Sequence, residues 1–205
     1  MGKFLSSKEG SIALHRMIVA RFNFNPYLDF LAGVELNRVI REDMWHSLPS
    51  LKSASVVGPA NPPDSLRGFV IVADSALSYY RGRCDMVVTD LDGPVEKMES
   101  GDFIKVVHAH GDNIEKLGKH VPRMKGLILG TTQSIPVGSI RNIGGFTDGD
   151  RSVLMAIIMG ARKVEVYGFN FEKPVDEPSR VKLEKMKVAR DILNSIKGVE
   201  ITFRK

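Results

Sequence analysis

The chain has 205 residues, 43% hydrophobic and 26% charged, with 29 Lys+Arg against 24 Asp+Glu, a net charge of +5 and one cysteine. At roughly 150 residues per domain this excludes a multidomain machine and leaves one large α/β domain or a domain with an appendage, and the composition excludes a chain disordered throughout. Cys84 alone makes neither an intrachain disulfide nor a multi-thiolate metal site, which points to a reducing compartment.

The longest apolar run, Val153 to Met159, is far short of the ~18 residues of a spanning helix. Lys8, Glu9, His15 and Arg16 stand where a signal peptide would be apolar. A cytoplasmic protein without a membrane partner is expected. The opening Met-Gly-Lys-Phe-Leu-Ser fits an N-myristoylation pattern, but so short a match arises by chance and is set aside.

In chain order, residues 1–50 predict a helical N-terminal segment. Asn25-Pro26 forms a helix start, and Leu28, Leu31, Ala32, Leu36, Val39 and Ile40 recur at helical spacing. Residues 51–205 change to short β-branched runs, predicting strands at 55–58, 69–74, 86–90, 104–108, 126–130, 164–168 and 199–203. Helical stretches are predicted at about 112–121, 149–160 and 177–196. Near-continuous apolar strands alternating with helices predict an open, mostly parallel, doubly wound α/β sheet with helices on both faces.

The positive excess is C-terminal: residues 1–100 hold 11 basic and 12 acidic residues, and residues 101–205 hold 18 and 12. Much of it lies in Arg180, Lys182, Lys185, Lys187 and Arg190, interleaved with Glu184 and Asp191. A solvated helix face is the first expectation and steering of an anionic ligand the second. Without interleaved aromatics, no nucleic-acid partner is expected.

Ligands of open α/β sheets bind beyond the carboxyl ends of the strands. There the sequence places Asp74, then Asp90 and Asp92, then Asp112, and at a helix start Asp148 and Asp150. Single aspartates before helices are often N-caps, and Asp112 and Asp148 fit that role. Capping accounts for at most one of Asp90 and Asp92, so a magnesium and phosphate site is the better account of the set. His108 and His110 share a strand face. Without a cysteine pair, hydrogen bonding to phosphate or to Asp112 is expected of such a histidine before zinc binding. Gly58 opens one loop after a strand, and Thr131, Thr132 and Gln133 follow Gly130 in another. Both loops are either ordinary turns or presenters of backbone N–H and hydroxyl groups to a nucleotide. Arg151 either pairs with Asp150 or meets a phosphate.

At these residues the chain resembles the archaeal 6-hydroxymethyl-7,8-dihydropterin pyrophosphokinases, from about residue 25 onward. The resemblance rests on four motifs in order: 85–93 (Asp85 to Gly93), 107–113 (Val107 to Asn113), 130–133 (Gly130 to Gln133), and 142–151 (Asn142 to Arg151) followed by Gly160-Ala161. That family is similar in its catalytic core to thiamine pyrophosphokinases. The resemblance implies magnesium ligands at Asp90, Asp92, Asp148 and Asp150, and ATP as co-substrate bound near Gly58, Asp74, Thr131, Thr132 and Gln133. It implies transfer of pyrophosphate to the reduced pterin, with Asp112 or His110 polarising the acceptor hydroxyl and Arg151 neutralising phosphate charge. The chain departs from the family's Gly-Pro-Ser and Ala-Asp-Gly loops, having Gly58-Pro59-Ala60 and Ala73-Asp74-Ser75. Thiamine as acceptor, a glycosyl-transfer role and a non-catalytic nucleotide-binding regulator are the alternatives, and a homodimer is allowed for.

Overall fold

The computed structural model describes residues 16–204, apart from 18, 23, 41 and 173–179. The myristoylation pattern and the first residues of the 177–196 helix prediction lie outside the described residues.

The β-branched runs form seven strands: β1 (Ser53–Val57), β2 (Val70–Ala73), β3 (Met86–Thr89), β4 (Ile104–Ala109), β5 (Ile128–Thr132), β6 (Lys163–Tyr167) and β7 (Glu200–Arg204). All pairings are parallel, in the order β5-β4-β3-β2-β1-β6-β7. Alternation along the strands splits their side chains between two cores. Val57, Val72, Val87 and Val107 face one core, and Val56, Ile71, Val88 and Val106 the other. Burial on both sides is why these strands read as continuous apolar runs rather than alternating ones.

The first core is covered by α1 (Pro26–Val39), α2 (Val95–Ser100) and α3 (Ile114–His120), through Leu36, Met98 and Leu117. The second is covered by α4 (Asp148–Ile158) and α5 (Arg180–Ser195), through Val153, Met155 and Leu193. The doubly wound architecture expected from the sequence is therefore present. The short helix α2 carries no sequence signal strong enough to announce it.

The Asn25 side chain accepts from Tyr27 N and Leu28 N, and Pro26 occupies the first turn where its missing N–H costs nothing. The stripe α1 buries is Asp29, Ala32, Gly33 and Leu36, so this helix shares the core of the sheet.

The fifth strand starts two residues later than its apolar run suggests. Its register against β4 runs from Lys105↔Ile128 to Ala109↔Thr132, and Thr131 Oγ1 donates to Val107 O inside the ladder. Thr131 and Thr132 are thus buried strand residues, and not loop residues open to a nucleotide.

After β5 the chain returns through α4, which crosses β1, β2 and β3 before β6 pairs beside β1. Strand order reverses between β1 and β6, and this crossover sets the N-terminus of α4 over the carboxyl ends of the central strands. No helix among the described residues is long and apolar enough to cross a membrane.

Candidate active site

Three carboxylates meet where β2, β3 and α4 converge: Asp74, Asp90 and Asp148 each offer an oxygen within 4.8 Å of the others. Two of the turns that deliver them are unusual. Asp74 has φ +32° and Leu91 φ +69°, backbone conformations that non-glycine residues seldom adopt and that concentrate at functional sites. Leu91 is buried, which pins the turn between Asp90 and Asp92.

Desolvation and then the Asp90 charge push Asp74 up to about 7, against hydrogen bonds from the Thr89 hydroxyl and the Gly93 amide. Burial and again the Asp90 charge hold Asp148 well above the usual carboxylate range, with Arg151 opposing. A cation standing among the three carboxylates would offset the cost of holding charge on Asp74 and Asp148. The donor set is all hard oxygen and includes no histidine, which fits magnesium rather than zinc.

The other two expected ligands lie outside this trio. Asp92 is exposed and paired with Lys116 of α3 at 2.5 Å. Asp150 is fully buried at the third position of α4. It accepts from Phe146 N, Thr147 N and Thr147 Oγ1 in a capping box. Its carboxylate therefore fixes the start of the helix, and Asp148, two residues earlier, is the one presented to the trio. Arg151 bridges to Asp148 at 2.8 Å rather than to Asp150, and it is only 2% exposed.

His110 Nδ1 accepts from Asp112 N at 3.3 Å. In the neutral ring the proton is then on Nε2, which lies buried 3.7 Å from an Asp90 oxygen. This tautomer makes His110 a donor toward the site and not a base at that atom. Asp112 is 85% exposed at the rim and caps no helix.

Two cavities meet at the trio, sharing Asp90 and Asp148 as a common wall, with Asp74 on the side of the larger. The smaller, about 250 Å³, is bounded by α1, the β4 loop and the start of α4, and includes Asp29, His110, Asp112, Gln133 and Arg151. The larger, about 420 Å³, lies at the topological switch and includes Gly58, Asp74, Gly168, Phe169, Lys182 and Lys185. Asp90, Asp148, Phe146, Thr147 and Lys185 border both. The predicted nucleotide residues are therefore divided: Gly58 and Asp74 line the larger cavity and Gln133 the smaller.

Two contributors lie outside the site residues expected from the sequence. Asp29 is 2% exposed; it accepts from Gly111 N at 2.8 Å and from Gln133 Nε2 at 2.9 Å. Its signal was present, because it falls at i, i+3, i+4, i+7 with Ala32, Gly33 and Leu36 on the buried stripe of α1. Lys185, on the helix face for which solvation is the first expectation and steering of an anionic ligand the second, holds its ammonium over the Phe24 and Phe146 rings, 5.4 and 5.9 Å from their centroids.

No family model matches the chain. Three curated relatives are each named 6-hydroxymethyl-7,8-dihydropterin pyrophosphokinase. That of Pyrococcus furiosus is 36% identical over 188 residues, covering 83% of this chain and 78% of the relative. That of Methanocaldococcus jannaschii is 34% identical over 160 residues, 66% of each chain. That of Methanothermobacter thermautotrophicus is 44% identical over 99 residues, 47% of this chain and 42% of its own.

Proposed function

The chain belongs to the 6-hydroxymethyl-7,8-dihydropterin pyrophosphokinase family, and from that premise we propose that it transfers the β,γ-diphosphoryl group of ATP to the hydroxymethyl oxygen of the reduced pterin. The observation that carries this reading is the acidic trio at the junction of two cavities, with Asp90 and Asp148 bordering both. A two-substrate transfer needs donor and acceptor on opposite sides of one charge-handling centre.

In the reaction the hydroxymethyl oxygen forms a bond to the β-phosphorus. The bond from that phosphorus to the α,β-bridging oxygen breaks, and AMP leaves with the electron pair. The hydroxyl proton passes to water or to the Asp112 carboxylate at the cavity rim. The transition state of phosphoryl transfer is loose, so positioning and charge neutralisation matter more than a strong base. Magnesium would be held by Asp74, Asp90 and Asp148, and when bound it neutralises phosphate charge. Arg151, fixed by Asp148, and His110, through Nε2–H, donate toward the transferring phosphate oxygens. Lys182 and Lys185 offer positive charge to the nucleotide from the larger cavity.

Phosphorus NMR with ATP, magnesium and the reduced pterin tests the reading. AMP and a pterin diphosphate should appear in equal amounts, and thiamine should give no AMP. Stoichiometric ADP with a pterin monophosphate would defeat the transfer as written. Thiamine-dependent AMP would move the acceptor.

A further inference from the structure

The two edges of the sheet are finished differently. Arg141 lies along the outer edge of β5, donating from N to Gly130 O and accepting at O from Thr132 N, so that edge is closed. β7 is the outermost strand on the other side, and no strand among the described residues pairs with its outer edge. Glu200 N donates to Arg162 O, so the backbone groups of Glu200, Thr202 and Arg204 point at β6. Along a strand these directions alternate, and the N–H and C=O of Ile201 and Phe203 therefore face outward. Such a row of unpaired groups is a template for another strand.

The side chains of β7 sort by face. On one face the register sets Glu200 beside Lys163, Thr202 beside Glu165 and Arg204 beside Tyr167. Lys163 approaches Glu200 at 3.7 Å and Arg204 meets Glu165 at 2.6 Å. On the other face Ile201 packs against the second core, and Phe203 stands edge-on to Phe171, ring centroids 5.6 Å apart, while remaining 43% exposed. The strand thus carries an acid two residues before Thr202 and a base two residues after it, with an exposed aromatic on the opposite side.

We propose that β7 is a dimer interface, on which a second copy of this chain pairs edge to edge and antiparallel about a two-fold axis at Thr202. Hydrogen bonding requires outward-facing residues to meet outward-facing residues, which allows the axis at Ile201, Thr202 or Phe203. Only the axis at Thr202 overlaps the whole strand. It sets the backbone of Ile201 against that of Phe203 in the second copy and the reverse, and it places Glu200 against Arg204 of the second copy at the closer kind of pair, Cα atoms about 4.5 Å apart. The row across the joint then runs Lys163, Glu200 and Arg204 of the second copy, alternating in sign, with that copy's Glu165 beside its Arg204. An axis at Ile201 or Phe203 would oppose a charge to Thr202 and leave it unmatched. On the other face Ile201 meets Phe203 of the second copy, covering apolar surface that the single chain leaves open. Because the same strand serves both copies, assembly closes at two, and the free edge disappears.

Sedimentation velocity of the full chain, over a wide range of concentration, tests this. The wild type should pass from the mass of one chain to that of two as concentration rises. Glu200→Arg sets arginine against Arg204, and Arg204→Glu sets glutamate against Glu200, so each variant alone should dimerise about tenfold or more weakly. Mixed one to one, the two variants are complementary at both charge pairs and should form a heterodimer within about threefold of the wild-type affinity. Thr202→Cys, at the axis, should become a covalent dimer when oxidised glutathione accepts the thiol electrons, because the two Cβ atoms come within disulfide reach. The wild type should not, since burial pushes its Cys84 thiol up to about 12. A wild type that stays single at every concentration overturns the proposal. So does a dimer that neither charge reversal weakens, which would place the joint on another face. Weakened single variants that do not recover on mixing, with no covalent dimer from Thr202→Cys, overturn the antiparallel register.

Discussion

Asp90 is the charge that raises both of its neighbours, standing first among the charged causes for Asp74 and for Asp148. Removing that charge while keeping the shape, as in Asp90→Asn, should relieve repulsion in the metal-free protein and raise its Tm by about 2–4 °C, the shift of roughly 1 kcal/mol in a domain of this size. The same variant should lose the Tm rise that magnesium gives the wild type and at least 100-fold in AMP production. Differential scanning fluorimetry with and without chelator reads the first two, and a coupled AMP assay the third. An unchanged magnesium response would remove Asp90 from the metal site. Asp150→Asn should behave in the opposite sense. The change weakens a buried carboxylate that accepts from two backbone amides and a hydroxyl, so Tm should fall by several degrees with or without metal. A metal-dependent rise in Tm that disappears in Asp150→Asn would restore that residue as a ligand.

At the scale of elements, α1 and the β1–β6 junction decide whether a site exists. Leu36 is fully buried among residues of the sheet and of α3. Leu36→Ala should cost about 2–5 kcal/mol, lowering Tm by roughly 4–20 °C at the usual slope for this chain length. A loss below about 1 kcal/mol in urea denaturation would mean that α1 is an appendage after all. Where β1 and β6 end, Gly58 and Gly168 pack backbone against backbone: a Cβ on Gly58 would come 2.6 Å from Gly168 O. Gly168 adds φ +67° and would meet Gly58 O with a Cβ of its own. Gly168→Ala should therefore lose about 1–3 kcal/mol and, by prising the strand ends apart beside the larger cavity, raise KM for ATP more than KM for the pterin. The reverse ordering of the two effects would place the nucleotide elsewhere.

For the molecule as a whole, the field is divided: an acidic edge at the centre, and Lys182 and Lys185 across the larger cavity. ATP and the trio repel one another without a cation, so ATP with magnesium should raise Tm more than ATP with chelator. An equal shift in the two conditions would mean that the nucleotide avoids the trio. Much of this molecule was legible in the chain because it depends on local rules. Val- and Ile-rich runs of four to six residues separated by helical periods dictate parallel strands buried on both faces, and Asn25-Pro26 dictates a helix start. Acidic residues at strand ends mark the functional edge, because topology sends every such end to the same side of the sheet. What the chain alone did not decide was which acids meet. Spacing cannot distinguish Asp148 from Asp150, two residues apart on one helix, until the capping box turns one into the backbone and leaves the other facing Asp74 and Asp90. Nor could it show that β5 slides by two residues to bury Thr131 and Thr132, or that α5 swings Lys185 over Phe24 and Phe146. Asp29 and Gln133 lie 104 positions apart and hydrogen-bond only because α1 packs against β5. Those pairings are long-range, and they depend on packing that no window of neighbouring residues contains.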